Sequence, residues 1–130
     1  MTKNRTRSLI LGASLFLFAC SSGPNIPDGE ACRELQKTQK MMDKEYMDQL
    51  ERILYEGGSP SGFLYLDHLS AYKGLADKYL STLTEFDMKI KMSILLDIAS
   101  NNNGTIENRW SDAKNRSRNI LEWCYERKYL

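Results

Sequence analysis

Two turn-forming stretches, Gly57-Gly58-Ser59-Pro60-Ser61-Gly62 and Asn101-Asn102-Asn103-Gly104, cut this chain into blocks whose apolar residues recur every three or four positions. Glycine and asparagine accept the backbone conformations that end helices, and proline cannot continue one. Blocks of this kind bury their apolar stripes by packing as helices against one another. The first block reads as a helix from Asp28, its predicted N-cap, to Glu56. Leu35, Met42, Tyr46, Leu50, Ile53 and Leu54 form its inner stripe. The second begins near Ser61 or Gly62 and carries Phe63, Leu66, Leu69, Tyr72, Ala76, Tyr79, Leu80 and Leu83. Gly74 interrupts it at a cost of about 1 kcal/mol relative to alanine, which predicts close approach of a neighbouring helix or a local weakness.

The third block carries two signals. Phe86, Met88, Ile90, Met92 and Ile94 alternate with Asp87, Lys89, Lys91 and Ser93, which is the period of a strand. A single strand would find no partner elsewhere in the chain, and Leu95, Leu96, Ile98 and Ala99 extend the apolar surface past the alternation. The expectation is therefore a helix over 84–100, the most buried of the four. Thr105 is the predicted N-cap of the last helix, whose face carries Ile106, Trp110, Ala113, Ser117, Ile120, Leu121 and Cys124. The expected fold is all-α, an up-down-up-down four-helix bundle over 29–130.

The amino-terminal segment follows a different logic. Lys3, Arg5 and Arg7 precede an apolar run from Ser8 to Ala19, in a chain whose mean hydropathy is −0.50. That run is shorter than the ~20 residues that cross a bilayer and fits the apolar core of a secretory signal. Leu17-Phe18-Ala19-Cys20 resembles the lipobox of bacterial lipoproteins. The resemblance implies removal of residues 1–19 and acylation of the Cys20 sulfur. Ala19 and Leu17 match the pattern; Phe18 departs from it, since a smaller residue is usual there. Ser21, where aspartate would resemble an inner-membrane retention signal, implies the periplasmic side of the outer membrane. A plain secretory signal and a short membrane anchor are the alternatives. Residues 20–28, opening Cys20-Ser21-Ser22-Gly23-Pro24, form the expected lipidated tether.

Without residues 1–19 the chain keeps 15 of its 18 Lys and Arg against 17 Asp and Glu, about −2. No basic stripe with interleaved aromatics is present, so nucleic-acid binding has no support. Once Cys20 carries lipid, Cys32 and Cys124 remain as an even pair in a compartment that permits disulfides. In an up-down bundle they lie at the same end, where a bridge would close a loop of about 90 residues and contribute about 4–5 kcal/mol. The tether leaves from that end. The loops over 57–62 and 101–104 then face away from the membrane.

Motifs for chemistry are scarce. His68 is the only histidine, and no nucleophile or metal-ligand spacing accompanies it, so it reads as a solvent-facing or core-edge residue. Glu85, Asp87 and Asp97 read as a solvated face, and no phosphate loop, HExxH or GxSxG occurs. No catalytic residue, metal or cofactor is expected. Met41, Met42, Met47, Met88 and Met92 fit either a core or an adaptable groove for a partner. Tyr65 and Trp123 fall off the apolar faces as drawn, which makes them candidate partner-binding anchors together with Met42 and Tyr46.

The expected function is that of a non-enzymatic accessory factor: a lipid-anchored, periplasm-facing bundle that binds another envelope protein. In architecture alone it looks like the pilotins that escort secretin subunits. The alternative is an immunity, exclusion or lysozyme-inhibitor lipoprotein that blocks a toxin or transfer component.

Overall fold

The computed structural model describes residues 26–130, which form helices α1 (Ile26–Glu56), α2 (Gly62–Leu80), α3 (Phe86–Ser100) and α4 (Ile106–Glu126). No strand occurs among them. The segment read as a leader and lipobox, with Cys20, lies outside the described residues.

Helix starts follow local chemistry where a capping side chain is available. Ser61 accepts from the Phe63 amide at 3.2 Å, and Thr105 accepts from the Asn108 amide at 3.2 Å. α1 begins earlier than expected, at Ile26, with Pro27 in its first turn, where the missing amide hydrogen costs nothing. Ile26, Pro27 and Asp28, assigned to the tether by sequence, are thus helical.

Asp28 does not cap its own helix. It is fully buried inside α1, and its carboxylate accepts from the Thr84 amide at 2.8 Å, the Thr84 hydroxyl at 3.1 Å and the Glu85 amide at 3.0 Å. Glu85 is the N-cap of α3 and makes no side-chain capping bond. The carboxylate of α1 therefore fills the positive end of α3 and locks the starts of the two helices together.

Pairs between helices give their directions. Glu34–Tyr79, Gln39–Tyr72, Glu45–His68 and Gln49–Ser61 descend α2 as they climb α1, so those two are antiparallel. Lys91–Asn119 and Ala99–Arg109 make α3 and α4 antiparallel as well. α2 and α4 each pack on all the other helices, while α1 and α3 occupy opposite sides of that pair. The result is a four-helix bundle whose core includes Leu35, Met42, Leu69, Tyr72, Met88, Met92, Leu95, Ala113 and Ile120.

The disulfide is present: Cys32 and Cys124, both fully buried, are bonded with Cα atoms 5.9 Å apart. It joins the start of α1 to the end of α4. Beyond it the chain turns through Lys128, at φ 61°, so that the Tyr129 amide reaches the Cys124 carbonyl and the Lys128 amide reaches Tyr125. That is a Schellman stop with lysine where glycine is usual. Tyr129 then donates to Glu85 at 2.6 Å and closes the same end over the start of α3.

Four expectations about burial and faces need correction. α2, with eight buried residues, is more deeply packed than α3, with four. The alternation in α3 splits by side: Met88, Met92, Leu95 and Ala99 point inward at helical spacing, while Phe86 and Ile90 face solvent. On α2 the buried face is Leu64, Tyr65, His68, Leu69, Tyr72, Leu75, Ala76 and Tyr79, and Phe63 and Leu66 are exposed. On α1, Leu54 is 84 % exposed rather than inward.

Gly74 is exposed, and a Cβ there would meet nothing within 4 Å. No neighbour requires the glycine, so it is a local weakness. Gly74→Ala is expected to stabilise the bundle by about 1 kcal/mol, read as a higher urea midpoint at unchanged slope. A lower midpoint would reveal a packing role for this position.

Candidate functional site

The chemistry-bearing side chains gather where α1, α2 and α4 meet. Trp110 sits at the centre, its ring centroid 4.9 Å from those of both Tyr46 and Tyr65. Its indole N–H donates to His68 Nδ1 at 2.9 Å, and His68 Nε2 lies 2.9 Å from Glu45 Oε2. Indole is only a donor, so Nδ1 must accept, and the ring proton sits on Nε2 facing the carboxylate. Lys114 Nζ lies 4.8 Å from the Tyr46 and Trp110 centroids and 3.7 Å from Asp43 Oδ1. Burial, aided by the charge of Arg118 and opposed by Asp43, pushes Lys114 below the usual lysine range.

One turn deeper is a second polar cluster. Gln39 Oε1 accepts from Tyr72 at 2.6 Å and from Ser117 at 2.7 Å, using both lone pairs, and Gln39 Nε2 donates to Asp43 at 2.9 Å. Every buried polar group in it is therefore satisfied. His68 is only 3 % exposed and both ring nitrogens are engaged, so no ring face is free to meet a substrate. Among the described residues, no three His, Cys, Asp or Glu are placed to hold a metal ion.

The sequence-predicted anchors fall here and are mostly inside. Met42, Tyr65 and Trp123 are buried, and Tyr46 is half-buried against Trp110 and Lys114. Trp123 stacks against Tyr129, with the Arg127 guanidinium 5.4 Å from its ring centre. Met42, Tyr65 and Trp123 are therefore corrected as surface anchors, while Tyr46 keeps a partly exposed edge. Tyr65 fell off the predicted stripe because the first turns of α2 bury Leu64, Tyr65 and His68 in place of Phe63 and Leu66, whereas Leu69, Tyr72, Ala76 and Tyr79 lie inside as expected. His68, expected at the surface or core edge, is likewise interior. Among the methionines, Met42, Met88 and Met92 are core, and Met41 and Met47 are exposed.

Tyr65, Tyr72, Tyr79 and Tyr129 all hold their protons more tightly than a free phenol. Burial pushes Tyr72 up to about 12 and is the leading cause at Tyr65 and Tyr129, where charges nearby and the Glu85 bond respectively add to it. For Tyr79 the hydrogen bond to Glu34 comes first. A group whose pKa is raised by folding stabilises fully below its unfolded value and loses that contribution as pH rises toward the folded one. Stability is thus expected to fall between pH 10 and 12, with Tyr72 alone accounting for about 2–3 kcal/mol. Lys114 works the other way, gaining stability as its proton leaves. Thermal melts across that range should show the decline, and Tyr72→Phe should flatten it; an equal decline in that variant would locate the effect elsewhere.

Apart from Met41, midway along α1, the exposed large apolar side chains lie toward the two ends. Gln49 meets the first turn of α2, and Trp110, in the first turns of α4, packs on Tyr46. The last two turns of α1 therefore stand past the other helices by roughly 10 Å. Leu54 and Tyr55 on this overhang, Met47 just before it and Phe63 and Leu66 beside it are exposed. Glu45, Asp48, Arg52, Phe63 and Asp67 help to line a groove of about 400 Å³ at its base. The bridged end exposes Phe86, Ile90 and Tyr125. No described helix is long and apolar enough to cross a membrane. Comparison with protein-family models, with curated proteins and with solved structures finds no match to this chain.

Proposed function

We propose that this chain is a lipid-anchored envelope protein that holds another protein at the periplasmic side of the outer membrane, as an accessory factor in secretion or pilus assembly. Acyl chains on Cys20 supply the anchor, and the bundle supplies a rigid spacer bridged at the anchored end. The observation that carries this reading is the overhanging tip of α1 with the adjoining start of α2. It displays Leu54, Tyr55, Phe63 and Leu66, with Met47 just below them, at the end away from the tether. Solvent-exposed aromatic and methionine side chains on a rigid element suit a protein partner. The interior clusters are spent on holding the helices together, which favours binding over catalysis.

The reading is tested by photocrosslinking in intact cells, with a photoreactive residue at Tyr55 and, as control, at Lys73 on the outer side of α2. A specific adduct to a secretion or pilus component from position 55 alone supports the proposal. An adduct to a toxin or a lysozyme assigns the blocking role instead. Equal, nonspecific labelling from both positions contradicts a docking tip.

A further inference from the structure

We propose that the bridged end of the bundle is itself a bilayer-contact face, in which Phe86 and Ile90 of α3 enter the headgroup boundary and Lys89 meets lipid phosphate. The inference rests on the anchor proposed above and adds what the anchored end does. Phe86, Ile90 and Ile94 stand at i, i+4 and i+8 on the outer side of α3. Phe86 is 73 % exposed and Ile90 44 %, although both are large apolar side chains. Ile90, Ile94 and Leu80, with Lys89, Ser81 and Ser93, line an open groove of about 520 Å³ between the end of α2 and α3.

Chain connectivity selects the occupant. The Asp28 carboxylate bonds to Thr84 and Glu85, which places the start of α1 against the start of α3. Six residue steps separate Cys20 from Ile26, so whatever its conformation that segment reaches at most about 20 Å. A lipid on the Cys20 sulfur therefore holds Phe86 close to the membrane surface. A two-residue apolar wedge binds a bilayer weakly by itself, but a short tether turns the encounter into an intramolecular one at high effective concentration. Lys89 flanks the stripe with a long stem that covers apolar surface while its charge reaches phosphate; Lys91, on the other side, is turned to Asn119 of α4.

The test uses the acylated protein in vesicles of phosphatidylethanolamine and phosphatidylglycerol, with a benzophenone amino acid in place of Phe86 and, separately, of Tyr55. Irradiation should add the mass of one phospholipid at position 86, several-fold more than at position 55. Acylated protein that shows no phospholipid adduct at 86 overturns the inference and leaves the anchor standing. So does an adduct to a second copy of the chain or to its own acyl chains. Protein with no acyl mass on Cys20 removes the anchor reading, and this inference with it.

Discussion

Replacing Cys32 and Cys124 together by alanine is expected to lower the thermal midpoint by roughly 15–25 °C, the largest loss from any local change to this fold. The bond joins residues 92 apart, so in the unfolded chain it closes nearly the whole described domain into one loop. The chain-entropy account gives about 4–5 kcal/mol for a loop of that length, a large share of the 5–15 kcal/mol typical of a domain. Both cysteines are fully buried, and alanine avoids leaving unpaired hydroxyls in their place. The loss should be greatest at the bridged end, where Asp28, Glu85 and Tyr129 also hold α1, α3 and the carboxyl terminus together. Circular-dichroism melts of the oxidised protein and the double variant measure it directly. A shift under about 5 °C would mean that these hydrogen bonds and the core hold that end without the bridge.

Trp110→Ala is expected to cost about 3–5 kcal/mol, and Trp110→Phe about 1–3 kcal/mol. The alanine variant removes the ring on which Tyr46, Tyr65 and Lys114 pack. The phenylalanine variant keeps much of that packing but leaves His68 Nδ1 buried without its donor. Urea unfolding followed by the remaining Trp123 separates the two contributions. Equal midpoints for wild type and Trp110→Phe would show that the indole–imidazole bond adds nothing net, and the site would then reduce to ring packing.

The outline of this fold is legible in the chain because its signals are local. The Gly57–Gly62 and Asn101–Gly104 turns, the Thr105 cap and the three-to-four spacing each act within a few residues, and the helices occur where those signals place them. The Cys32–Cys124 bond was readable once the helix directions were assumed, since an even pair at one end of a bundle has a single partner choice. What escaped depends on partners far away in sequence. Asp28 looks like a cap for its own helix, yet its hydrogen bonds run to Thr84 and Glu85, 56 and 57 residues on. Tyr65 and His68 look less apolar than Phe63 and Leu66, so the first two turns of the α2 stripe were drawn on the wrong side, while Leu69, Tyr72, Ala76 and Tyr79 were placed inside correctly. Trp110 reverses that ranking by giving His68 a donor and Tyr65 a ring to pack on. Hydropathy ranks a side chain before its partners are known, and here the partners decided which face went inside.

The central claim is that this bundle works from a lipid anchor at Cys20. Its most direct test is metabolic labelling with palmitate, followed by membrane fractionation, of the wild-type chain and Cys20→Ala expressed side by side. The account predicts that the wild type takes up label and sediments with outer membranes, while Cys20→Ala accumulates as an unlabelled precursor. Label retained in Cys20→Ala, or a wild-type protein that matures without label, would contradict it.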